Sequence, residues 1–286
     1  MRLLTLIRHR WEGLLALLYF DNWPLLIIQR CCLQTPLVYR KRGVRFLVDR
    51  ASGDQHGLID CVTRDIYSRY FPRLTTDRPL RVLDLGANIG GFGLALILAG
   101  FEIERIVAVE MNRCTHARLA YNLVNNIGSK AVLVHAAVCE SQRNIRVADN
   151  NGWVGNSIYD QRLSETATLE VPGVTLDELT TSYFPNEKVD ILKMDIEFAE
   201  YEVLFSATCK SIVQYDHLLI EIHEDEQHKA RTLIRRLREL NFEIIAGNGN
   251  EGTDVYFFEN RLRLQTANGS EDKENNQPRI NTDVHG

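Results

Sequence analysis

One run constrains the fold of this chain more than any other: Val82-Leu83-Asp84-Leu85-Gly86-Ala87-Asn88-Ile89-Gly90-Gly91-Phe92-Gly93. An apolar strand enters a glycine turn, and the turn opens an apolar helix, Phe92–Ala99, that Gly100 stops. The same beat then repeats. Ile106–Val109 reads as a strand, and Arg113–Asn126 as a helix with Ala117, Ala120, Leu123 and Val124 inward; Ala131–His135 is a third strand. After an interruption it resumes with Val189–Met194, a helix at Ala199–Phe205, His217–Ile222 and an amphipathic helix over Glu226–Leu240. Strands alternating with helices predict an α/β fold with a Rossmann-like, doubly wound sheet. The last pair, Phe242–Ala246 and Thr253–Phe258, reads as a β-hairpin, which leaves an antiparallel strand at one edge.

Around that frame the chain divides into three. Residues 1–78 are a helical arm and lead-in, 79–263 the main domain with a hairpin insertion at about 139–189, and 264–286 a tail without aromatic residues, too polar to fold. In the arm, Leu3, Leu4, Ile7, Trp11, Leu14, Leu15 and Leu18 recur at helical spacing, and the helix breaks near Asn22-Trp23-Pro24. Val44–Val48 reads as a strand and 58–71 as a helix. The first 50 residues hold nine Lys/Arg against Glu12, Asp21 and Asp49, a net of +6 in a chain whose total is −5, so the remainder carries −11. The arm is expected to pack on the domain or a second subunit as a homodimer contact, or to lie on a membrane surface through residues 1–30, with Arg2, Arg8 and Arg10 near lipid phosphates. No stretch reaches the roughly 20 apolar residues of a membrane span, and no signal-peptide cleavage site follows the start. The six cysteines show neither zinc spacing nor a C-x-x-C pair, which points to free thiols in a reducing, cytoplasmic setting.

The glycine loop admits few ligands. Its spacing is not the dinucleotide G-x-G-x-x-G, because Asn88 stands where a pyrophosphate needs the second glycine. S-adenosylmethionine has no phosphate. Asp84 can help organise the site for its ammonium end, and Gly86, Ala87, Asn88 and Gly90 can curve beneath its methionine moiety. Glu110, at the second strand end, can accept from both ribose hydroxyls. Met111, Asn112 and Ala137 complete the expected cofactor set. A tight turn with no ligand is the bland alternative.

These segments resemble the FkbM-type methyltransferases of the class I S-adenosylmethionine-dependent group. The resemblance rests on VLDLGANIGGFG (82–93), VAVEMN (107–112), VTLDEL (174–179), VDILKMDIEFAEYEVL (189–204) and LLIEIH (218–223), in that order, over about residues 80 to 260. It implies a seven-stranded sheet with its last strand antiparallel, and O-methylation of sugar or other metabolite hydroxyls. The family usually reads Asp-x-Glu-Gly at the fourth strand end, whereas this chain reads Asp195-Ile196-Glu197-Phe198.

A second constellation follows. Lys193, Asp195 and Glu197 alternate at the fourth strand end, Glu200 follows, and Glu221 and His223 alternate at the fifth. The carboxyl ends of such strands line the ligand crevice. An alcohol acceptor needs alignment and a proton acceptor. His223 is the natural base near neutral pH, and Asp195 or Glu197 could orient the hydroxyl or serve as base. Lys193 could lower the acceptor's pKa or pair with a carboxylate. A salt-bridged strand end is the alternative for Lys193–Glu197, and a loop-ordering histidine for His223. No metal is expected, for want of a paired-donor motif, although Asp195 with Glu221 or His223 could hold Mg²⁺. Trp153 could stack on a sugar face.

The reading is therefore an O-methyltransferase acting on a sugar, glycan or small-metabolite hydroxyl. The alternative is a catalytically inactive cofactor-binding or interaction module of the same fold. A nicotinamide oxidoreductase is disfavoured by Asn88, and a nucleic-acid partner by the acidic core and the missing N-P-P-Y-like motif.

Overall fold

The computed structural model describes residues 13–74, 76, 78–150, 157–159, 168–247 and 254–262. The first part of the expected arm, Trp153, most of the turn before the last strand, and the tail lie outside the described residues. In the lead-in, a 3₁₀ turn at Ala16–Tyr19 precedes α1 (Trp23–Cys31), with Pro24 in its first turn. A hairpin of β1 (Leu37–Lys41) and β2 (Val44–Val48) follows, then α2 (Asp54–Val62). The sequence reading found β2 and missed β1. The helix expected at 58–71 instead starts at Asp54 and stops at Val62, and a 3₁₀ turn at Ser68–Arg73 carries Tyr70 into the core.

The main domain runs β3 (Leu80–Leu85), α3 (Gly91–Leu98), β4 (Ile103–Glu110), α4 (Arg113–Ile127), β5 (Ala131–His135), β6 (Ala137–Val138), β7 (Asn144–Ala148), β8 (Thr168–Val174) and α5 (Leu176–Tyr183). It continues through β9 (Val189–Met194), α6 (Ala199–Phe205), β10 (Tyr215–Glu221), α7 (Ala230–Glu239), β11 (Phe242–Ala246) and β12 (Val255–Asn260). The 139–189 stretch thus holds the antiparallel β7–β8 pair, with β8 also parallel to β6, and a helix, α5, that the sequence reading did not separate.

Seven strands form one sheet in the order β11-β12-β10-β9-β3-β4-β5. The five strands from β10 to β5 are parallel, and β12 is antiparallel to both of its neighbours. The last strand is therefore antiparallel but does not sit at the edge. It inserts between β10 and β11, and the edge strand β11 runs with the parallel set. A hairpin's sequence fixes the pairing of its two arms, not which arm joins the sheet.

Helices cover both faces, and the alternation along each strand sorts the core into two layers. Val82, Ile106 and Ala108 face α3 and α4, together with Leu17, Phe20, Tyr39 and Phe46 of the lead-in. Leu83, Leu85, Val107 and Val109 face α5, α6 and α7 through Leu179, Leu204, Leu233 and Leu237. The chain reverses at β3, where β4 lies on one side and β9 on the other, so the crevice beyond the ends of β3, β4 and β9 is the topological switch point at which such sheets bind ligands.

Candidate active site

The glycine turn is shaped by a neighbouring strand end. Gly86 has φ +70, and a Cβ there would lie 1.7 Å from the backbone oxygen of Asp195, so no side chain fits. Asp195 is held in that position by its own N–H donating to Leu85 O at 3.1 Å. Asn88 also takes a left-handed φ, +49. Its side-chain oxygen accepts from the next backbone N–H, Ile89, at 2.7 Å, while its own N–H donates to Glu110 Oε2 at 3.0 Å.

Two adjoining clefts open at this switch point. The first, about 580 Å³, is lined by Gly86, Asn88, Val109, Glu110, Met111, Thr115, Ala136, Ala137, Val138, Ile158, Asp195, Ile196 and Glu197. Glu110 Oε1 accepts from Asn112 N at 2.7 Å and Oε2 from Asn88 N, so both oxygens are fixed in place and each keeps a free lone pair. Burial pushes this carboxyl up to about 7, against the pull of the two N–H bonds. An anchored carboxylate for a vicinal diol, beside an apolar slot of Val109, Met111, Ala137 and Val138 for a flat base, fits S-adenosylmethionine.

Not every expected cofactor residue faces that cleft. Asp84 is fully buried beneath it, 3.4 Å from Lys193 Nζ. Asn112 is the N-cap of α4, accepting from Cys114 N and Thr115 N at 3.0 Å each. Gly90 caps α3 against Leu119 and Leu123. Ala87 lines only the second cleft. Asp84, Asn112 and Gly90 shape the site from behind. Thr115, Ala136, Val138, Ile158 and Ile196 were missed by the sequence reading.

The second cleft, about 950 Å³, lies between the strand ends and the lead-in. Gly86, Asn88, Asp195 and Glu197 belong to both clefts. Its other walls are Gly57, Asp60 and Cys61 of α2, then Ile66, Tyr67, Phe92, Lys193 and Glu221. Tyr67 arrives from far upstream, and its hydroxyl makes long contacts of 3.5 Å to Asp195 Oδ2 and 3.4 Å to Glu221 Oε2. No local signal marked it in the sequence.

The charged groups are coupled. Lys193 is buried, donating to Gly86 O at 2.7 Å and Leu85 O at 3.3 Å, with Asp84 at 3.4 Å and Asp195 at 3.5 Å. Burial works against its charge, but Asp195 and Asp84 outweigh it and raise its pKa, so Lys193 stays an ammonium. It braces the glycine loop through the Leu85 and Gly86 carbonyls. Lys193, Asp195 and Glu197 could share a face only if the strand ran on to Glu197, and β9 ends at Met194. Glu197 and Phe198 turn through left-handed backbone, φ +53 and +76.

His223 departs furthest from its expected role. Its Nδ1 lies 3.2 Å from Oε1 of the fully buried Glu200, and its Nε2 lies 3.5 Å from Glu197 Oε2. Burial favours the neutral ring, yet the Glu200 hydrogen bond and charge, helped by Glu197, raise the imidazole to about 9. A raised imidazole favours the protonated ring at neutral pH, which suits a positioning role for His223 better than a base. Burial meanwhile lifts Glu197 to about 7, opposed by His223, and lifts Glu221 to about 8, reinforced by Asp195. Donor atoms of Asp195, Glu197 and His223 lie within 4.8 Å of one another, the spacing of a three-ligand cation site. The sequence reading had paired only Asp195 with His223 or Glu221.

Among solved structures, methyltransferase FkbM from Methylobacillus flagellatus KT is 16% identical with a TM-score of 0.45, over 63% of this chain and 43% of that one. M. jannaschii TYW2 in complex with AdoMet is 16% identical with a TM-score of 0.38, over 79% and 87%. Precorrin-6y C5,15-methyltransferase from Geobacter metallireducens GS-15 is 11% identical with a TM-score of 0.38, over 69% and 88%. The chain thus spans less than half the length of the first of these. No curated protein matches it. The family model for the methyltransferase FkbM domain matches residues 84–244. That is more than half of the chain, so the protein belongs to the FkbM methyltransferase family.

Proposed function

We propose that the enzyme methylates a hydroxyl group on a sugar, glycan or small metabolite held in the second cleft. What supports this reading is that the two clefts share Gly86, Asn88, Asp195 and Glu197, so the junction where an acceptor would meet the cofactor carries two carboxylates. The cofactor supplies an electrophilic methyl group on a sulfonium. The chain's part is to aim the hydroxyl oxygen in line with that methyl and to take the hydroxyl proton as the O–C bond would form and the methyl–sulfur bond break, the spent cofactor leaving as a neutral thioether. Glu197, at about 7, is poised to accept a proton near neutral pH, and Asp195 orients the hydroxyl. Protonated His223 holds Glu197 from behind and is a positioning residue.

The acceptor follows from the charges. Four carboxyl groups line the second cleft, Asp195, Asp60 paired with Arg64, and Glu197 and Glu221 with raised pKa values, while Lys193, the cation among its described lining residues, is engaged by Asp84, Asp195 and two carbonyls. Neutral or amine-bearing alcohols suit it, and phosphorylated ones do not.

Calorimetry with S-adenosylmethionine and a turnover screen with labelled cofactor test this. Glu110→Ala should weaken cofactor binding at least about tenfold, the loss of a hydrogen-bonded charged acceptor being worth roughly 1.5–3 kcal/mol. Glu197→Gln and Asp195→Asn should keep cofactor affinity and lower turnover by roughly a hundredfold or more. Wild-type turnover in both variants would move the chemistry elsewhere. Activity should survive EDTA, because His223 already balances the carboxylates there. Loss with EDTA and rescue by Mg²⁺ would make Asp195 and Glu197 ligands.

A further inference from the structure

The lead-in carries an apolar surface unrelated to either cleft. Between Gly13 and Leu33, the side chains of Leu17, Phe20 and Leu26 are buried in the core. The outward side is just as apolar: Leu15, Leu18, Trp23, Leu25, Ile28 and Leu33 are exposed, Leu15 and Ile28 to 60% and Leu33 to 86%. A surface helix normally turns a polar face to water. Leu33 also sits at φ +56, so it combines left-handed backbone with a solvated apolar side chain, and the isolated chain gains nothing from either.

Charge decides what covers this face. Residues 1–50 carry a net +6 against −11 for the remainder. Within that segment Arg40, Arg42 and Arg45 of the β1–β2 hairpin are exposed. The hairpin is fixed beside the apolar face: Asn22 Nδ2 donates to Val38 O at 2.8 Å, and the backbone N–H groups of Arg40 and Arg42 donate to Asn22 Oδ1 at 2.9 Å and Asp21 Oδ2 at 2.7 Å. Residues 13–50 alone hold six Lys/Arg against Asp21 and Asp49, so a second copy docked face to face would bring +4 against +4. An anionic lipid surface accepts the apolar side chains into its acyl boundary and the arginines at its headgroups. No helix among the described residues is long and apolar enough to cross a membrane, so the contact lies in the plane of the surface.

We propose that residues 13–33, with the β1–β2 hairpin, form a docking surface for an anionic lipid bilayer. Vesicle co-sedimentation of the full chain tests it, using phosphatidylcholine vesicles with and without phosphatidylglycerol, at low salt and at about 1 M salt, where the Debye length is roughly 3 Å. The wild type should pellet with anionic vesicles at least tenfold more than with neutral ones, and release in high salt. Arg40→Glu with Arg45→Glu, and separately Leu15→Ser with Ile28→Ser, should each cut pelleting at least tenfold while leaving S-adenosylmethionine affinity unchanged. Three results would overturn the proposal. One is no pelleting, or equal pelleting with neutral vesicles. Another is a melting point several degrees lower for the serine variant, which would mean that the chain's own first twelve residues cover the face. The third is a wild-type dimer in sedimentation that the serine variant splits. The arginine variant decides the matter should the serine variant fail to fold.

Discussion

Glu197 and Phe198 are the residues whose backbone and chemistry are most tightly joined. Both occupy left-handed φ, at the turn that brings the Glu197 carboxylate back towards His223. The glycine usual in the family at position 198 is explained by that φ: the position selects left-handed backbone, and the phenylalanine here follows the same path. Its ring lies 5.5 Å from His223 and 5.9 Å from His228, contacts that offset part of the conformational cost. A residue with a Cβ in this region costs roughly 1–2 kcal/mol that glycine avoids. Removing the ring by Phe198→Ala and by Phe198→Gly loses the same contacts, so the glycine variant should be the more stable by about 1 kcal/mol in denaturant melts. Equal stability, or a more stable alanine variant, would show that φ is not what this position selects. His223 teaches the matching lesson about charge. From the sequence it is a histidine at a strand end, with an ordinary pKa. Its proton is fixed by Glu200, buried on α6, the helix before β10, and no spacing rule links those two positions.

The β1–β2 hairpin and the start of α2 are fastened to the domain by side chains of helix α4. Asn122 accepts from Leu47 N at 2.6 Å and donates to Leu47 O at 3.1 Å and Ile89 O at 2.8 Å, while Asn126 makes the same pair of bonds with Arg45 N and O. Two amides four residues apart thus stand in for a neighbouring strand along β2. One turn further up, Arg118 clasps Asp54 at the start of α2, with Nε 2.5 Å from Oδ2 and a second bond of 3.0 Å to Oδ1. Because α2 walls the acceptor cleft, this buried pair positions it. Asp54→Ala leaves the Arg118 charge uncompensated and should cost about 3 kcal/mol in urea unfolding. A loss under 1 kcal/mol would make the clasp incidental. None of this was legible in the sequence, because Asn122 and Asn126 read there only as the polar face of a helix. The parallel strands were legible, since fully buried strands are apolar runs bounded by turns, and their ends delivered Gly86, Glu110, Ala137, Asp195 and Glu197 to the clefts. Helix α5 was overlooked although its start signal is present: Thr175 and Glu178 form a capping box, with bonds of 3.2 Å and 2.9 Å. Tyr67 and Asp60 could not be foreseen, because the lead-in's docking on the sheet, not any periodicity, brings them to the site.

Across the whole molecule, acids gather at the carboxyl ends of the strands, and the protein bears this as a pH-dependent cost. Glu221 is raised to about 8 by burial and by Asp195; unfolded, it would titrate near the ordinary carboxylate value. The folded state therefore holds its proton more tightly. The resulting stabilisation is complete below the unfolded pKa and disappears as pH rises through 8. His223 acts in the same sense. Its folded value near 9 exceeds the unfolded value, so the clasp between Glu197 and Glu200 contributes fully below about 6.5 and is lost as pH passes 9. His116 and His217, whose burial lowers their pKa, act in the opposite sense, but their effect is spent once the unfolded imidazole is neutral. Between pH 7 and 9.5 the raised groups are left to set the trend, and the melting temperature should fall by on the order of 5 °C. Glu221→Gln keeps the shape of the side chain and removes one of the raised titrations. Its melting temperature should start near or above that of the wild type at pH 7 and fall distinctly less by pH 9.5. A flat wild-type profile, or parallel profiles for the two proteins, would mean that Glu221 is hydrated and ionised in the folded enzyme. The second cleft would then face its acceptor with a full carboxylate charge at neutral pH, in place of a group that shares a proton with its neighbours.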